Sequence, residues 1–164
     1  MPISGEVYRH IGRSAAGGVS VVAAFDGASD RVVGLTASSF VTLSFDPPLV
    51  MFAIQHDASC YPALTSSEAF GVSLLTVYQS NIARRFATKG VDKNASTRFE
   101  PGQVLRVPLI ADSLAQIECR THEIFAGGDH AVVVGLVEAA RPREGEPLLY
   151  FARKFGSFVP LPET

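Results

Sequence analysis

Residues 34–48 decide the fold that we expect for this chain, and they read Gly-Leu-Thr-Ala-Ser-Ser-Phe-Val-Thr-Leu-Ser-Phe-Asp-Pro-Pro. The stretch places five hydroxyl side chains between two apolar runs: Thr36, Ser38, Ser39, Thr42 and Ser44. Small hydroxyl residues at a strand end or in the following loop leave room for a flat ring to approach the backbone. They can also donate hydrogen bonds to an anion or to ring carbonyls. The same composition is typical of a Ser/Thr-rich turn between two strands, so this stretch alone leaves both interpretations open.

The composition predicts one globular domain over residues 1–164. The chain is 47% hydrophobic and 18% charged, an apolar excess that suits a dimer, although ordinary cores reach similar values. The net charge is −2 and the charges are scattered, which argues against nucleic-acid binding and against attraction to a membrane surface. The longest apolar run, 49–54, is too short to span a bilayer, and Arg9, His10 and Arg13 interrupt any signal peptide. We therefore expect a cytoplasmic protein.

The cysteines and histidines give no indication of a metal site. Cys60 and Cys119 are the only two cysteines, without C-x-x-C spacing, and the four histidines share no metal-ligand spacing. Two reduced thiols are typical of a cytosolic protein, so we expect neither a disulfide nor a bound metal.

The first half of the chain predicts a helix followed by strands. Ser4 can cap a helix that runs to about Ser14, and Gly17-Gly18 ends it. The apolar run 19–25 and a strand at 31–37 flank the turn 26–30 and predict a β-hairpin. The run 49–55 is wholly apolar, which predicts a central strand. A short helix at 62–67 and a fourth strand at 70–76 follow.

The second half predicts one further helix and mostly strands. Residues 79–87 carry apolar side chains at helical spacing. Residues 102–110 predict a weak strand broken by Pro108. Residues 115–125 alternate Ile117 and Cys119 with polar side chains, which predicts a half-exposed antiparallel strand. The last long strand is 131–139. Many short strands, few helices and no Gly-x-Gly-x-x-Gly motif favour a β-barrel over a Rossmann sheet.

Five motifs occur in an order that resembles one known family. They are 34–50 (Gly-x-Thr-Ala-Ser-Ser-Phe to Asp-Pro-Pro-Leu-Val), 70–75 (Phe-Gly-Val-Ser-Leu-Leu), 79–87 (Gln-Ser-Asn-Ile-Ala-Arg-Arg-Phe-Ala), 128–137 (Gly-Asp-His and the run after it) and 147–151 (Pro-Leu-Leu-Tyr-Phe). From the first motif to the last they span about 120 residues. The pattern resembles the flavin reductase-like family of small NAD(P)H:flavin oxidoreductases.

The resemblance implies a fold and an activity. The fold would be mainly β, a Greek-key-like split β-barrel with a few short helices, assembled as a homodimer. The activity would be hydride transfer from NADH or NADPH to FMN or FAD, with the reduced flavin supplied to a partner monooxygenase. Two alternatives stay open: an enzyme that keeps its flavin and reduces another small acceptor, such as a corrinoid or quinone, and a non-catalytic flavin-binding module.

The resemblance also implies the site. Thr36, Ala37, Ser38 and Ser39 would line the flavin ring and ribityl chain. The loop 56–62 would contact the phosphate, although Ala58 and Cys60 stand where relatives have hydroxyl residues; free amides near Tyr61, where a helix begins, could compensate. The remaining cofactor-binding candidates lie in these motifs or in the segments beside them: Ser44, Asp46, Gln55, Ser59, Cys60, Arg85, Phe86 and Lys89.

His130 of the Gly-Asp-His motif is the catalytic candidate. The resemblance implies a position close to the stacked nicotinamide, where a neutral imidazole could orient the carboxamide or steady developing charge. The alternative is a histidine that only caps a strand, with Asp129 holding the turn. Tyr150 and Phe155 are expected in the core or in a dimer contact, with contact to the flavin edge a further option.

Overall fold

A seven-stranded antiparallel sheet forms the centre of the molecule. The computed structural model describes residues 2–27 and 29–162. In order of pairing, the sheet contains β3 (Val32–Ala37), β2 (Ser20–Phe25), β6 (Ala69–Leu74), β9 (Ala115–Gly127), β10 (His130–Pro142), β5 (Leu49–Gln55) and β4 (Val41–Ser44). The mainly β class expected from the sequence is confirmed.

Two small sheets and three helices surround this sheet. One small sheet contains β1 (Gly17–Gly18), β11 (Leu149–Phe151) and β12 (Lys154–Gly156), and the other contains β7 (Phe99–Pro101) and β8 (Pro108–Ile110). The helices are α1 (Gly5–Ser14), α2 (Tyr61–Ser66) and α3 (Ser80–Ala87), and a 3-10 turn at Val77–Gln79 leads into α3.

The predicted hairpin of β2 and β3 is confirmed, with Ser20 opposite Ala37 and Phe25 opposite Val32. Ala28, in the turn between the two strands, lies outside the described residues. Alternate side chains of β2 enter two different core clusters. Val22 packs with Phe52 and Phe70, whereas Val21 packs with Phe86 and Leu148. The strand is therefore buried on both faces, which explains its unbroken apolar sequence.

The sheet is strongly curved. β3 and β4 are its two edges, yet only residues 38–40 connect them. In a flat sheet six strand spacings would separate the edges by about 29 Å. Four Cα steps from Ala37 to Val41 reach at most about 15 Å. The edges must therefore approach each other, although no β3–β4 ladder joins them within residues 2–27 and 29–162.

Two strand predictions need correction. The run 49–55 was expected to be central, but β5 is second from the edge. Its partly covered residues are apolar too, so the sequence resembles that of a strand buried on both faces. Residues Val41–Ser44, within the Ser/Thr-rich stretch, form edge strand β4 instead of continuing a loop or turn. The backbone pairing with β5 decides this outcome.

The prediction of a half-exposed strand at 115–125 was wrong in its first half. Gln116 and Glu118 are as buried as Ile117 and Cys119. The loop 102–105 covers the polar side of this strand and supplies backbone N–H donors to the Glu118 carboxylate. Of the weak strand predicted for 102–110, only Pro108–Ile110 is a strand, β8, and Pro108 begins it instead of breaking it. β8 pairs with β7, which lies just before the predicted range, so the loop connects these two short strands.

The N-terminal helix begins as predicted. The Ser4 side chain accepts a hydrogen bond from the Val7 N–H at 3.3 Å and caps α1. The apolar face of α1 is not buried in the monomer, since Val7, Tyr8 and Ile11 are 50%, 69% and 55% exposed.

Candidate functional site

A cavity of about 370 Å³ lies where the end of β3, the end of β5, the loop before α2 and the end of α3 meet. This volume falls in the range of small-molecule sites. We call it the β3 cavity. Ten of the predicted site residues line it: Thr36, Ala37, Ser38, Ser39, Gln55, Ser59, Cys60, Phe86, Lys89 and His130.

The hydroxyl residues at the end of β3 divide into two groups. Thr36 Oγ1 donates to the Ala83 carbonyl at 2.7 Å, which ties β3 to α3. Ser39 Oγ accepts from the Ala53 N–H at 3.0 Å, and this bond ties the connection between β3 and β4 to strand β5. Ser38 is exposed, and its hydroxyl makes no hydrogen bond to any described residue. Ser38 therefore keeps a donor available to a ligand, whereas Thr36 and Ser39 shape the cavity wall.

The loop before α2 contributes Ala58, Ser59 and Cys60 to the cavity. The Ser59 hydroxyl is likewise without a hydrogen bond among the described residues. Burial raises the pKa of the Cys60 thiol, so this thiol is protonated at neutral pH. Of the backbone amides expected to be free where α2 begins, that of Tyr61 is engaged, because the Tyr61 N–H donates to the Ala58 carbonyl at 2.9 Å. The Tyr61 ring instead packs edge-to-face on His56.

The end of α3 supplies cations and an aromatic wall. Phe86 is buried and packs edge-to-face on Phe99. Lys93 Nζ donates to the Arg85 and Thr88 carbonyls and so satisfies the C-terminus of the helix. Partial burial lowers the Lys93 pKa below its usual value. Lys89, also on the cavity, pairs with the exposed Asp57 at 3.0 Å.

Arg85 does not reach the cavity. Its guanidinium Nη1 donates to the Ser96 carbonyl at 3.1 Å and to Thr97 Oγ1 at 3.0 Å. These bonds hold the loop after α3 against the helix. In the same loop the Asn94 side chain bonds both the N–H and the carbonyl of Val32, so the loop also covers the free edge of β3.

His130 and Gln55 form one wall of the cavity, since they are opposite residues in the β10–β5 pair. The turn before β10 contains Gly128 at φ 73°, a conformation that favours glycine. Asp129 Oδ1 lies 2.7 Å from His130 Nδ1, and this hydrogen bond holds the Asp129 pKa below its usual value. Because a carboxylate only accepts, Nδ1 carries the proton, and a neutral His130 keeps Nε2 as an acceptor.

The structure does not bring Ser44 and Asp46 to the β3 cavity. Ser44 pairs with Leu49 at the start of β5, whereas the cavity residues Ala53 and Gln55 lie toward its end. Four to six residues of extended strand correspond to about 13 to 20 Å.

A second cavity of about 500 Å³ adjoins the first and shares Thr36, Ser38, Ala87 and Thr88 with it. Its outer wall contains Arg84, Tyr150, Arg153 and Phe155. Tyr150 and Phe155, expected in the core or in a dimer contact, are thus partly buried but also line a cavity.

Sequence reasoning missed Lys93, Thr88 and Arg153 as cavity residues, and of the two neighbouring arginines of α3 it selected Arg85 where the structure places Arg84 on the second cavity. Residues 89–93 look like a polar connection in the sequence. A lysine shortly after a helix is a usual partner for the last helix carbonyls, and that signal could have identified Lys93. No local signal points to Arg153, because only the pairing of β11 with β1 brings its hairpin beside α3.

Comparison with known proteins agrees with this geometry. Residues 12–158 match the flavin reductase like domain. The chain is 40% identical over 145 residues to the reductase component of a 4-hydroxyphenylacetate 3-monooxygenase from Thermus thermophilus, covering 88% of this chain and 90% of that one. It is 37% identical over 148 residues to an NADH:riboflavin 5'-phosphate oxidoreductase from Streptomyces pristinaespiralis, covering 89% and 82%.

Among solved structures, the NADH:FAD oxidoreductase of Streptomyces globisporus in complex with NAD and FAD fragments superposes with a TM-score of 0.87. The identity is 31%, and the match covers 98% of both chains. A family model that covers most of the chain and relatives at this identity lead to one conclusion. The chain belongs to the flavin reductase-like family.

Proposed function

We propose that this protein is an NADH-dependent flavin reductase that takes FMN or FAD as hydride acceptor. The observation that carries the proposal is the β3 cavity in a chain of this family, with small hydroxyl residues on one side and Lys89, Lys93 and His130 around it. Relatives named as NADH-dependent reductases of FMN and of FAD support both the donor and the acceptor.

The cavity has the properties that a flavin requires. Several of its lining residues have side chains no larger than hydroxymethyl: Ala37, Ser38 and Ser39 at and after the end of β3, Ala53 on β5, and Ala58 and Ser59 in the loop before α2. A flat ring can therefore approach the backbone, and the free hydroxyls of Ser38 and Ser59 can donate to its polar atoms. When bound, the flavin supplies the acceptor for the two electrons and proton of the hydride.

The residues of the cavity have separable roles in this proposal. Ser59 and Lys89 hold the phosphate, with Lys93 adding positive charge. Ser38, Ala37 and the walls made by Thr36 and Ser39 position the ring. His130, oriented through Nδ1 by Asp129, presents a polar group to the nicotinamide.

We also propose the finer features that the family implies. The curved sheet forms a split barrel, which the short connection from β3 to β4 supports. The protein is a homodimer, which the exposed apolar face of α1 and the exposed Phe45, Phe158 and Leu161 support. It works in the cytoplasm, where buried unpaired thiols such as Cys60 and Cys119 stay reduced.

We propose a flavin-dependent monooxygenase as the partner, reached by diffusion of reduced flavin. Relatives named as monooxygenase reductase components support it. No helix within residues 2–27 and 29–162 is long and apolar enough to cross a membrane.

Anaerobic stopped-flow mixing of the protein, NADH and flavin tests the activity. Loss of flavin absorbance is expected with FMN or FAD, and no bleaching with either flavin would overturn the proposal. His130→Ala should lower the reduction rate about ten- to a hundredfold and leave flavin affinity within about twofold. His122→Ala, which removes an exposed histidine of β9, is the matched control and should reduce flavin at the unmodified rate.

A further inference from the structure

The charges around α3 are distributed unevenly. The chain has 16 acidic and 14 basic residues. Three neighbouring cavities contain basic side chains and, among the described residues, no Asp or Glu. They are the β3 cavity, the adjoining cavity of about 500 Å³, and a third of about 350 Å³ between α1 and the β11–β12 hairpin, where Arg9 and Arg13 lie. A row of neighbouring cavities lined by basic side chains favours a ligand with several negative charges.

The middle cavity, which we call the arginine–aromatic pocket, is lined by Thr36, Ser38, Arg84, Tyr150, Arg153 and Phe155. The Arg84 guanidinium carbon lies 5.0 Å from the centre of the Phe155 ring. The Tyr150 and Phe155 rings pack at 5.5 Å. Both arginines are exposed, and neither has an ion pair or side-chain hydrogen bond among the described residues. The pocket thus combines free guanidinium groups with aromatic surface.

This combination matches one half of a dinucleotide. Guanidinium groups bind phosphate oxygens in a bidentate manner. Aromatic rings and guanidinium planes stack on a nucleotide base, whichever base it is. Simple surface arginines would not require the aromatic wall, and a purely apolar ligand would not require the arginines.

We infer that the arginine–aromatic pocket binds the adenosine diphosphate half of a dinucleotide whose reacting half occupies the β3 cavity. The inference rests on the proposed function, and it extends that function to the choice of substrate. The two cavities share Thr36, Ser38, Ala87 and Thr88, so one extended molecule can span them without leaving the surface. FMN lacks the adenosine monophosphate half, so under this inference it makes no contact with Arg84 or Arg153.

Two substrates carry this chemistry, FAD and NADH, and the experiment distinguishes them. The variants are the double variant Arg84→Gln/Arg153→Gln and its charge-preserving counterpart Arg84→Lys/Arg153→Lys. Arg106→Gln, at an exposed arginine of the loop before β8, is the matched control. Arg153 has φ 66° in a tight turn, so the single variant Arg84→Gln on the exposed face of α3 replaces the double variant if that one melts early.

Dissociation constants for FAD and FMN come from equilibrium titration of flavin fluorescence. KM values for NADH and for reduced nicotinamide mononucleotide come from steady-state assays with FMN as acceptor. If FAD occupies the pocket, the Gln variant should raise the FAD dissociation constant about tenfold and change the FMN value less than twofold. If NADH occupies it, the KM for NADH should rise about tenfold while that for the mononucleotide changes less than twofold. The Lys variant should fall between the Gln variant and the unmodified protein in either case.

Equal changes for the dinucleotide and its mononucleotide, or no change in any of the four constants, would overturn the inference. The flavin titrations need no turnover, so they test the FAD alternative even if the protein reduces neither flavin. In that case dissociation constants for NADH and reduced nicotinamide mononucleotide, titrated by their own fluorescence, replace the KM values and test the NADH alternative. A protein that bleaches flavin normally, with constants insensitive to both arginines, would overturn only the inference and leave the reductase activity in place.

Discussion

Removing the Glu118 carboxylate should be among the most destabilising single changes in this protein. Glu118 is only 3% exposed, and its oxygens accept from the backbone N–H groups of Gln103 at 2.6 Å, Val104 at 3.0 Å and Leu105 at 2.6 Å. Hydrogen bonds to a charged group contribute about 1.5 to 3 kcal/mol each, and neutral ones about 0.5 to 1.5 kcal/mol. Because Gln103 and Val104 are exposed, water can rehydrate part of the loop after substitution.

We therefore expect Glu118→Ala to lower the free energy of unfolding by about 3 to 5 kcal/mol. Glu118→Gln keeps one acceptor oxygen but turns an amino group toward a backbone donor, and it should cost about 2 to 3 kcal/mol. With a urea m value of about 2 kcal/mol/M, the Gln variant should unfold at about 1 to 1.5 M less urea. Glu123→Gln, an exposed position on the same strand, is the control and should stay within about 0.5 kcal/mol.

Gly102 provides an independent check on this carboxylate. A Cβ at Gly102 would overlap the Glu118 carboxylate, so Gly102→Ala should be costly in the unmodified protein and much less so beside Glu118→Ala. Additive effects in this double-mutant cycle, or a Glu118→Gln midpoint equal to that of Glu123→Gln, would refute the view that Glu118 holds the loop.

Three further predictions concern the cavity and the core. Ser38→Phe should abolish measurable flavin binding without lowering Tm, because Ser38 is exposed and its hydroxyl has no partner among the described residues; unchanged flavin titration would contradict this. Gly135→Val should lower the free energy of unfolding by about 1 to 3 kcal/mol, because a Cβ at Gly135 would lie 2.5 Å from Phe70 Cζ and 2.9 Å from Cys119 Cβ. A urea midpoint unchanged from that of the unmodified protein would show that the site is not tightly packed. Burial raises the pKa of the Cys60 thiol and raises that of the Cys119 thiol to about 12, so little of either thiol is ionised at pH 8. Iodoacetamide should therefore leave Cys119 unmodified in the native protein and label Cys60 slowly. The labelling of Cys60 should be faster above pH 9 and slower when FMN is present. Mass spectrometry of the native, alkylated protein checks this, and rapid labelling of Cys119 is the contrary result.

Local chemistry explains the parts of the fold that the sequence predicts well. The Ser4 cap, the β2–β3 hairpin and α3 depend on residues close in the chain, so their patterns carry the information. The order of motifs was sufficient to identify the family. The motif residues Thr36, Ser38, Ser59 and His130 do come together around one cavity, although they belong to three separate segments.

The features that the sequence did not predict depend on contacts between segments that are distant in the chain. The alternation of β9 predicted an exposed Glu118, because a strand pattern cannot reveal that a loop 13 to 15 residues earlier covers its polar face. In the same way, the composition of residues 34–48 identified hydroxyls without showing which are free. Backbone groups of Ala83 and Ala53 bond the hydroxyls of Thr36 and Ser39, and only the folded arrangement leaves the Ser38 hydroxyl without a partner among the described residues.

The amino-acid sequence by itself determined the family, the mainly β class and the segment that lines the cavity, because these follow from residue order and short-range periodicity. Tertiary structure alone decided that Ser44, Asp46 and Arg85 lie away from the cavity and that Lys93, Arg84 and Arg153 border the site. The physical reason is the curvature of the sheet. It brings β3, β5 and α3 to one place, and no local pattern encodes which side chains then face each other.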